Sequence, residues 1–212
     1  MKVIARDYSI KEEFWNVLTH GLGLALSIPA LVLLVVFSSI YESAWHIVSF
    51  SIYGTTLVIL YLASTLFHSS RTKKIRLRLN VFDHASIYFL IAGTYTPFLL
   101  ITIRGPWGWS LFGVVWGLAI VGAIVKLFFT GRYDKISTAV YILMGWLIII
   151  AIKPLIANLS PEGLFWLSAG GISYSIGAAL YLIKKIPYNH AIFHVFVLLG
   201  SIFHFISVFF YV

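Results

Sequence analysis

Two imidazoles, His190 and His194, open the last apolar run of the chain in the stretch YNHAIFHVFVLLG. An α-helix turns about 100° per residue, so rings four apart stand one turn from each other on nearly the same face. They could touch the same small object. Ser64 and His68 close an earlier apolar run in ASTLFHSS, while Asp83 and His84 open the next in NVFDHASIYF. The chain has no Cys, which excludes disulfides, thiolate metal sites and cysteine nucleophiles. A metal would have to rely on His, Asp or Glu.

Whether these groups can meet depends on the elements that carry them. Of the 212 residues, 60% are hydrophobic and only 10% charged, against roughly 25% charged in ordinary soluble domains. Runs of about twenty apolar residues mark membrane-spanning helices. Seven such runs fall at approximately 22–40, 47–68, 82–102, 108–128, 137–153, 163–183 and 191–211. The connections are too short for a soluble domain. The expected architecture is an all-α membrane protein with a single seven-helix domain over residues 1–212. No internal repeat supports a transporter built from duplicated halves. The first run has no small-x-small cleavage pattern after it, so it reads as a span and not as a cleaved signal peptide.

Ahead of it, Ser9 and Glu12 have capping-box spacing, and Ile10, Phe14, Val17 and Leu18 fall on one helical face. Residues 1–20 are therefore expected to form an interfacial segment with a short amphipathic helix leading into the first span. With seven spans, successive connections alternate sides. Every Lys and Arg except Arg104 and Lys153 falls on the side of the N-terminus, Lys2 and Arg6 included. The positive-inside rule puts the N-terminus in the cytoplasm and the C-terminus outside. This orientation is opposite to that of G-protein-coupled receptors. It also accounts for the net charge of +8 as topology, with anionic headgroups as counterions; nothing points to nucleic acid.

On this topology His20, His68, His84, His190 and His194 share one predicted layer near the cytoplasmic face, together with Asp83. His46 belongs to the outer end of span 2, and His204 lies well inside span 7 as a packing or hydrogen-bonding residue. An ionisable group within a span is costly and by default functional, which singles out Asp83. His68, Asp83, His190 and His194, converging from three helices, point to a shared metal. Imidazole suits zinc, copper, iron or nickel, and a site without thiols or redox partners favours Zn²⁺. Three histidines with an open position make a catalytic zinc site, which lowers the pKa of a bound water to near 7. Asp83 could accept that water's proton, and Ser64 could hydrogen-bond an oxyanion or a substrate carbonyl.

These residues resemble the progestin and adiponectin receptor (PAQR) family. The motifs are Ser64-x-x-x-His68, Asp83 at the start of the next span, His190-x-x-x-His194, and Glu12/Glu13 followed by Asn16-x-x-x-His20. The stretches DHASIYFLIAGTYTPFLL and MGWLIIIAIKP resemble its bacterial branch, haemolysin III, almost end to end. The resemblance implies seven helices around a zinc held by His68, His190 and His194. It also implies Asp83 on the metal's water and Ser64 close by, and it makes Asn16, His20 and His84 candidates for supporting contacts. Alkaline ceramidases in the wider superfamily suggest hydrolysis of a lipid amide, and bacterial members are linked to membrane-fluidity homeostasis. The long N-terminal region of the animal receptors has no counterpart here, so hormone signalling is not carried over. His84 directly after Asp83 also departs from the receptor pattern; it either points away from the site or competes as a ligand.

The leading expectation is a zinc-dependent hydrolase of lipid amide or ester bonds in the cell membrane, with membrane lipids as partners. The alternatives are a sensor or regulator with structural zinc and, last, a pore, since the spans carry almost no polar stripe. Gly113-x-x-x-Gly117 and the series Ala169, Ser173, Gly177 are expected to pack helices closely, or else to form a face between two copies. Pro29 and Pro97 are expected to kink spans 1 and 3.

Overall fold

Ser9 caps the first helix as its spacing predicts, its Oγ accepting the Glu12 N–H at 3.2 Å. The computed structural model describes residues 8–212, so Lys2 and Arg6 lie outside the described residues. From the cap, helix α1 runs unbroken over Ile10–Tyr41. The amphipathic turns are thus the beginning of the first span and not a separate surface helix. Ile10 and Phe14 do face outward, at 90% and 61% exposed. The opposite face is a seam of Asn16, His20, Gly23, Ser27, Leu34 and Ser38, all buried. Small and polar residues inside with aliphatic residues outside is the arrangement expected in lipid, where close backbone approach and hydrogen bonding, not hydrophobicity, hold helices together.

The chain continues through α2 (Ala44–Ser69), α3 (Lys73–Pro97), a π-helical turn (Phe98–Thr102) and α4 (Pro106–Phe129). Next come α5 (Asp134–Gly145), a 3-10 turn (Leu147–Ala151), α6 (Ile152–Asn158), α7 (Pro161–Leu182) and α8 (Asn189–Tyr211), with no strand among the described residues. Seven of these segments are long and apolar enough to cross a membrane; the fifth is the composite Asp134–Asn158. The main contacts join α1 to α2, α2 to α3, α3 to α4 and α7 to α8, and α1 closes against α8. That closure brings the start of α1, the end of α2 and the start of α8 together at one end of the bundle.

The fifth span was expected as one short helix over 137–153. It is longer, and it is broken at Trp146. Backbone groups freed by such a break cannot find water in a bilayer, and a buried tyrosine supplies the partners. Tyr95 donates its hydroxyl to the Met144 and Gly145 carbonyls at 3.0 and 2.8 Å. The same oxygen accepts the Ile148 N–H at 2.9 Å. Pro97 marks the passage from α-helix to π-turn, at the far end of its span from Asp83.

Close packing uses glycines other than those expected. A Cβ on Gly23 would sit 2.3 Å from the Tyr61 ring, and one on Gly122 would sit 2.4 Å from Tyr88. Gly113 and Gly117 instead have open space where a Cβ would stand, so their stripe packs nothing within the bundle. The α7 series does pack: Ser173 donates to the Phe196 carbonyl at 2.8 Å, and Gly177 lies under Phe196.

Candidate metal centre

His68 projects from the last turn of α2, and His190 and His194 from the first turns of α8. Asn189 anchors that start, its Nδ2 donating to the Tyr181 carbonyl at the end of α7 at 2.7 Å. The three imidazoles are buried, at 4%, 5% and 1% exposed. One nitrogen from each lies within 4.8 Å of the others, and the Nε2 atoms of His68 and His190 are 3.1 Å apart. A tetrahedral ion with Zn–N bonds of about 2.0–2.1 Å separates its nitrogens by roughly 3.3 Å. The donors therefore converge at the right scale, and the group could hold a metal ion.

The back of each ring matters as much as its front, because the hydrogen bond at one nitrogen sets the tautomer and frees the other. His68 Nδ1–H donates to Glu13 Oε2 at 2.6 Å. The other Glu13 oxygen pairs with Arg76 at the start of α3, and Asn16 Nδ2 donates to Glu13 Oε2 at 3.3 Å. Arg76 also donates to the Phe67 carbonyl at 3.3 Å and lies over the Phe67 ring. One carboxylate thus ties α1, α2 and α3 to a single imidazole. His194 Nδ1–H points at the Asn16 carbonyl at 3.4 Å, with Thr19 Oγ1 at 3.3 Å. Both Nε2 atoms are left with lone pairs to offer.

His20 stacks on His194, their ring centroids 3.4 Å apart at 13°. Its Nδ1 is 2.7 Å from Ser64 Oγ, and Ser64 is fully buried. Asp83, 8% exposed, shares with His20, His190 and His194 the wall of an internal cavity. It does not belong to the clustered triad. His84 lines the same cavity, but its Nδ1–H is committed to the Asn80 carbonyl at 2.9 Å. His46 sits apart, with Nδ1 against Ser43 Oγ at 2.9 Å and Nε2 against the Val212 carbonyl at 3.1 Å.

Sequence reasoning assigned no contact to Glu13, Arg76 or Thr19. A signal was available for one of them. Glu13, Asn16 and His20 follow i, i+3, i+7 spacing and therefore share a helical face. Reading the apolar face of the same turns drew attention to the side that meets lipid.

Away from the triad the cavity is walled mainly by apolar side chains of α3, α5, α7 and α8, among them Ile87, Leu90, Tyr141, Phe193 and Val197. Fold and site together define a multi-pass membrane protein with a buried histidine triad able to hold a metal. The comparisons agree. A family profile described as Haemolysin-III related matches residues 8–205, and the chain belongs to the haemolysin III family, the bacterial branch of the PAQR proteins. It is 54% identical over 203 residues to Hemolysin-3 of Bacillus cereus, covering 96% of this chain and 93% of that protein. To the Hemolysin-3 homolog of Bacillus subtilis it is 53% identical over 204 residues, 96% of each chain. A distant PAQR-type relative, human Monocyte to macrophage differentiation factor, is 29% identical over 199 residues, 91% of this chain and 81% of that one. The protein is thus a multi-pass protein of the cell membrane.

Proposed function

We propose that His68, His190 and His194 hold Zn²⁺ and that the protein hydrolyses amide or ester bonds of membrane lipids, contributing to membrane-fluidity homeostasis. The observation that carries this reading is a buried histidine triad that meets a carboxylate, Asp83, on the wall of one largely apolar cavity. A stable structural ion needs no cavity; a lipid chain does. When bound, such a metal supplies Lewis acidity and lowers the pKa of a coordinated water to near 7.

The remaining work falls to the chain's own groups. The cavity wall takes the hydrocarbon and excludes bulk water, which strengthens every charge interaction inside. An Asp83 carboxylate oxygen accepts the proton of the attacking water. Ser64 donates to the developing oxyanion, which requires a particular arrangement of its hydrogen bond to His20. If His20 Nδ1–H donates to Ser64 Oγ, the serine hydrogen is free to turn into the site. Asn16 holds the backs of two ligands through its amide and its carbonyl. Orientation follows the basic residues, with the triad at the cytoplasmic end.

The test is turnover by purified protein on a panel of ester- and amide-linked lipids, with products read by mass spectrometry. Asp83→Asn should keep its zinc, because Asp83 is not a ligand, and lose turnover, because an amide cannot take the proton. Ser64→Ala should keep zinc and lose about 10²–10³-fold in rate, the scale of one missing oxyanion donor. Absence of product from every lipid, with zinc-retaining variants still restoring membrane fluidity in cells, would leave the zinc structural and sink the hydrolase reading.

A further inference from the structure

The cavity that begins at the triad does not run out into pure hydrocarbon. Its wall also includes His204, farther along the helix that carries His190 and His194, and only 7% exposed. One nitrogen of this ring is committed, since Nε2–H donates to the Leu167 carbonyl of α7 at 3.0 Å. A carbonyl only accepts, so the hydrogen belongs to Nε2 and a neutral ring carries a lone pair at Nδ1. That Nδ1 is buried and has no hydrogen-bond partner among the described residues. The nearby hydroxyls are engaged elsewhere: Tyr174 and Tyr61 each lie 2.8 Å from Ser201 Oγ. Residue 170 is glycine where the ring needs room, for a Cβ there would stand 2.0 Å from His204 Cδ2.

A buried acceptor without a donor forfeits its hydration and gains nothing in return. The cavity is the space on this ring's flank from which a donor can come. We propose that His204 Nδ1 is a second recognition point, accepting a hydrogen bond from a hydroxyl carried on the acyl chain of the bound lipid. The proposal rests on the reading above in one respect, that the lipid's carbonyl lies at the triad. His194 and His204 are then separated along the helix axis by about 15 Å, at 1.5 Å per residue. An extended chain with bonds of ~1.5 Å advances about 1.3 Å per carbon, so about twelve carbons cover that distance. The favoured ligand is a long acyl chain hydroxylated near that carbon. Between the two polar ends Leu90, Phe193 and Val197 offer only apolar contact.

Three probes test this on the zinc-loaded, detergent-solubilised protein: octadecanoic acid, the acid with a hydroxyl on carbon twelve, and the acid with a hydroxyl on carbon three. Each competes with radiolabelled octadecanoic acid. The mid-chain hydroxyl should improve affinity about fivefold over the unsubstituted acid, the scale of one net hydrogen bond. The hydroxyl near the head should not. His204→Phe should abolish the preference while leaving zinc content intact. Equal affinities for the mid-chain and unsubstituted acids in the wild type overturn the proposal, whatever the variant does. So does a preference that survives His204→Phe, a matching preference for the hydroxyl near the head, or failure of all three acids to bind. None of these readouts needs turnover. A preference retained in Asp83→Asn, with no lipid hydrolysed by the wild type, would uphold the recognition point and reject the hydrolase. Turnover without any preference would do the reverse.

Discussion

Glu13 is the residue whose role the structure most enlarges. Its carboxylate reaches His68 Nδ1 at 2.6 Å and holds Arg76 with its other oxygen. A carboxylate behind a metal-bound histidine orients the ring and raises its basicity, and losing one typically costs 10–100-fold in metal affinity. Glu13→Gln should therefore weaken zinc binding by about that factor without abolishing it. His68→Ala, which deletes a ligand, should strip most of the metal. Competition against a chelator of known affinity measures both. Equal zinc affinity in Glu13→Gln and wild type would show that His68 needs no such support, and stoichiometric zinc in a His190→Ala/His194→Ala double variant would refute the triad itself.

At the scale of elements, the fifth span shows how a bilayer protein tolerates a break. Tyr95 is buried and serves three backbone groups of Met144, Gly145 and Ile148 with one hydroxyl. Removing a partner from a buried polar group costs about 1–3 kcal/mol, and Tyr95→Phe leaves these groups without theirs. The variant should unfold at a clearly lower temperature in detergent, with the loss confined to stability if zinc content is unchanged. A wild-type midpoint in Tyr95→Phe would mean that other groups or water hold the break. Gly23 makes a second case. Its missing Cβ admits the Tyr61 ring, which in turn meets His20 edge-on at 5.1 Å. Gly23→Ala should lower stability by about 1–3 kcal/mol, as overpacking does, and thermal unfolding of that variant reads the effect.

For the whole molecule, the closure of α1 against α8 assembles the site from the two ends of the chain. His68 and His190 are far apart in sequence, yet their Nε2 atoms are 3.1 Å apart. Reporter fusions should place the loops at Lys73 and Lys184 in the cytoplasm and Val212 outside. Both chain ends on one side would overturn that orientation and the cytoplasmic placing of the triad.

Much of this was legible in sequence because lipid imposes simple rules. Apolar runs must be long enough to cross and must satisfy their own backbone, so the seven spans and the shared level of His68, Asp83, His190 and His194 follow from counting. The spacing of His190 and His194 needs only helical geometry. Other features depended on which face of each helix meets protein, and composition does not say. In lipid an apolar face can point either way, so Ile10 and Phe14 turned outward, while Glu13, Asn16 and His20 turned in. The stripe Gly113/Gly117 stayed open to the surroundings, and Gly122 made the close approach instead. The pairing of Glu13 with His68 and Arg76, the stack of His20 on His194, and the lone pair of His204 beside the cavity are contacts between distant segments. Only tertiary packing could decide them, because each depends on the distance and rotation between helices that the chain's local pattern leaves free.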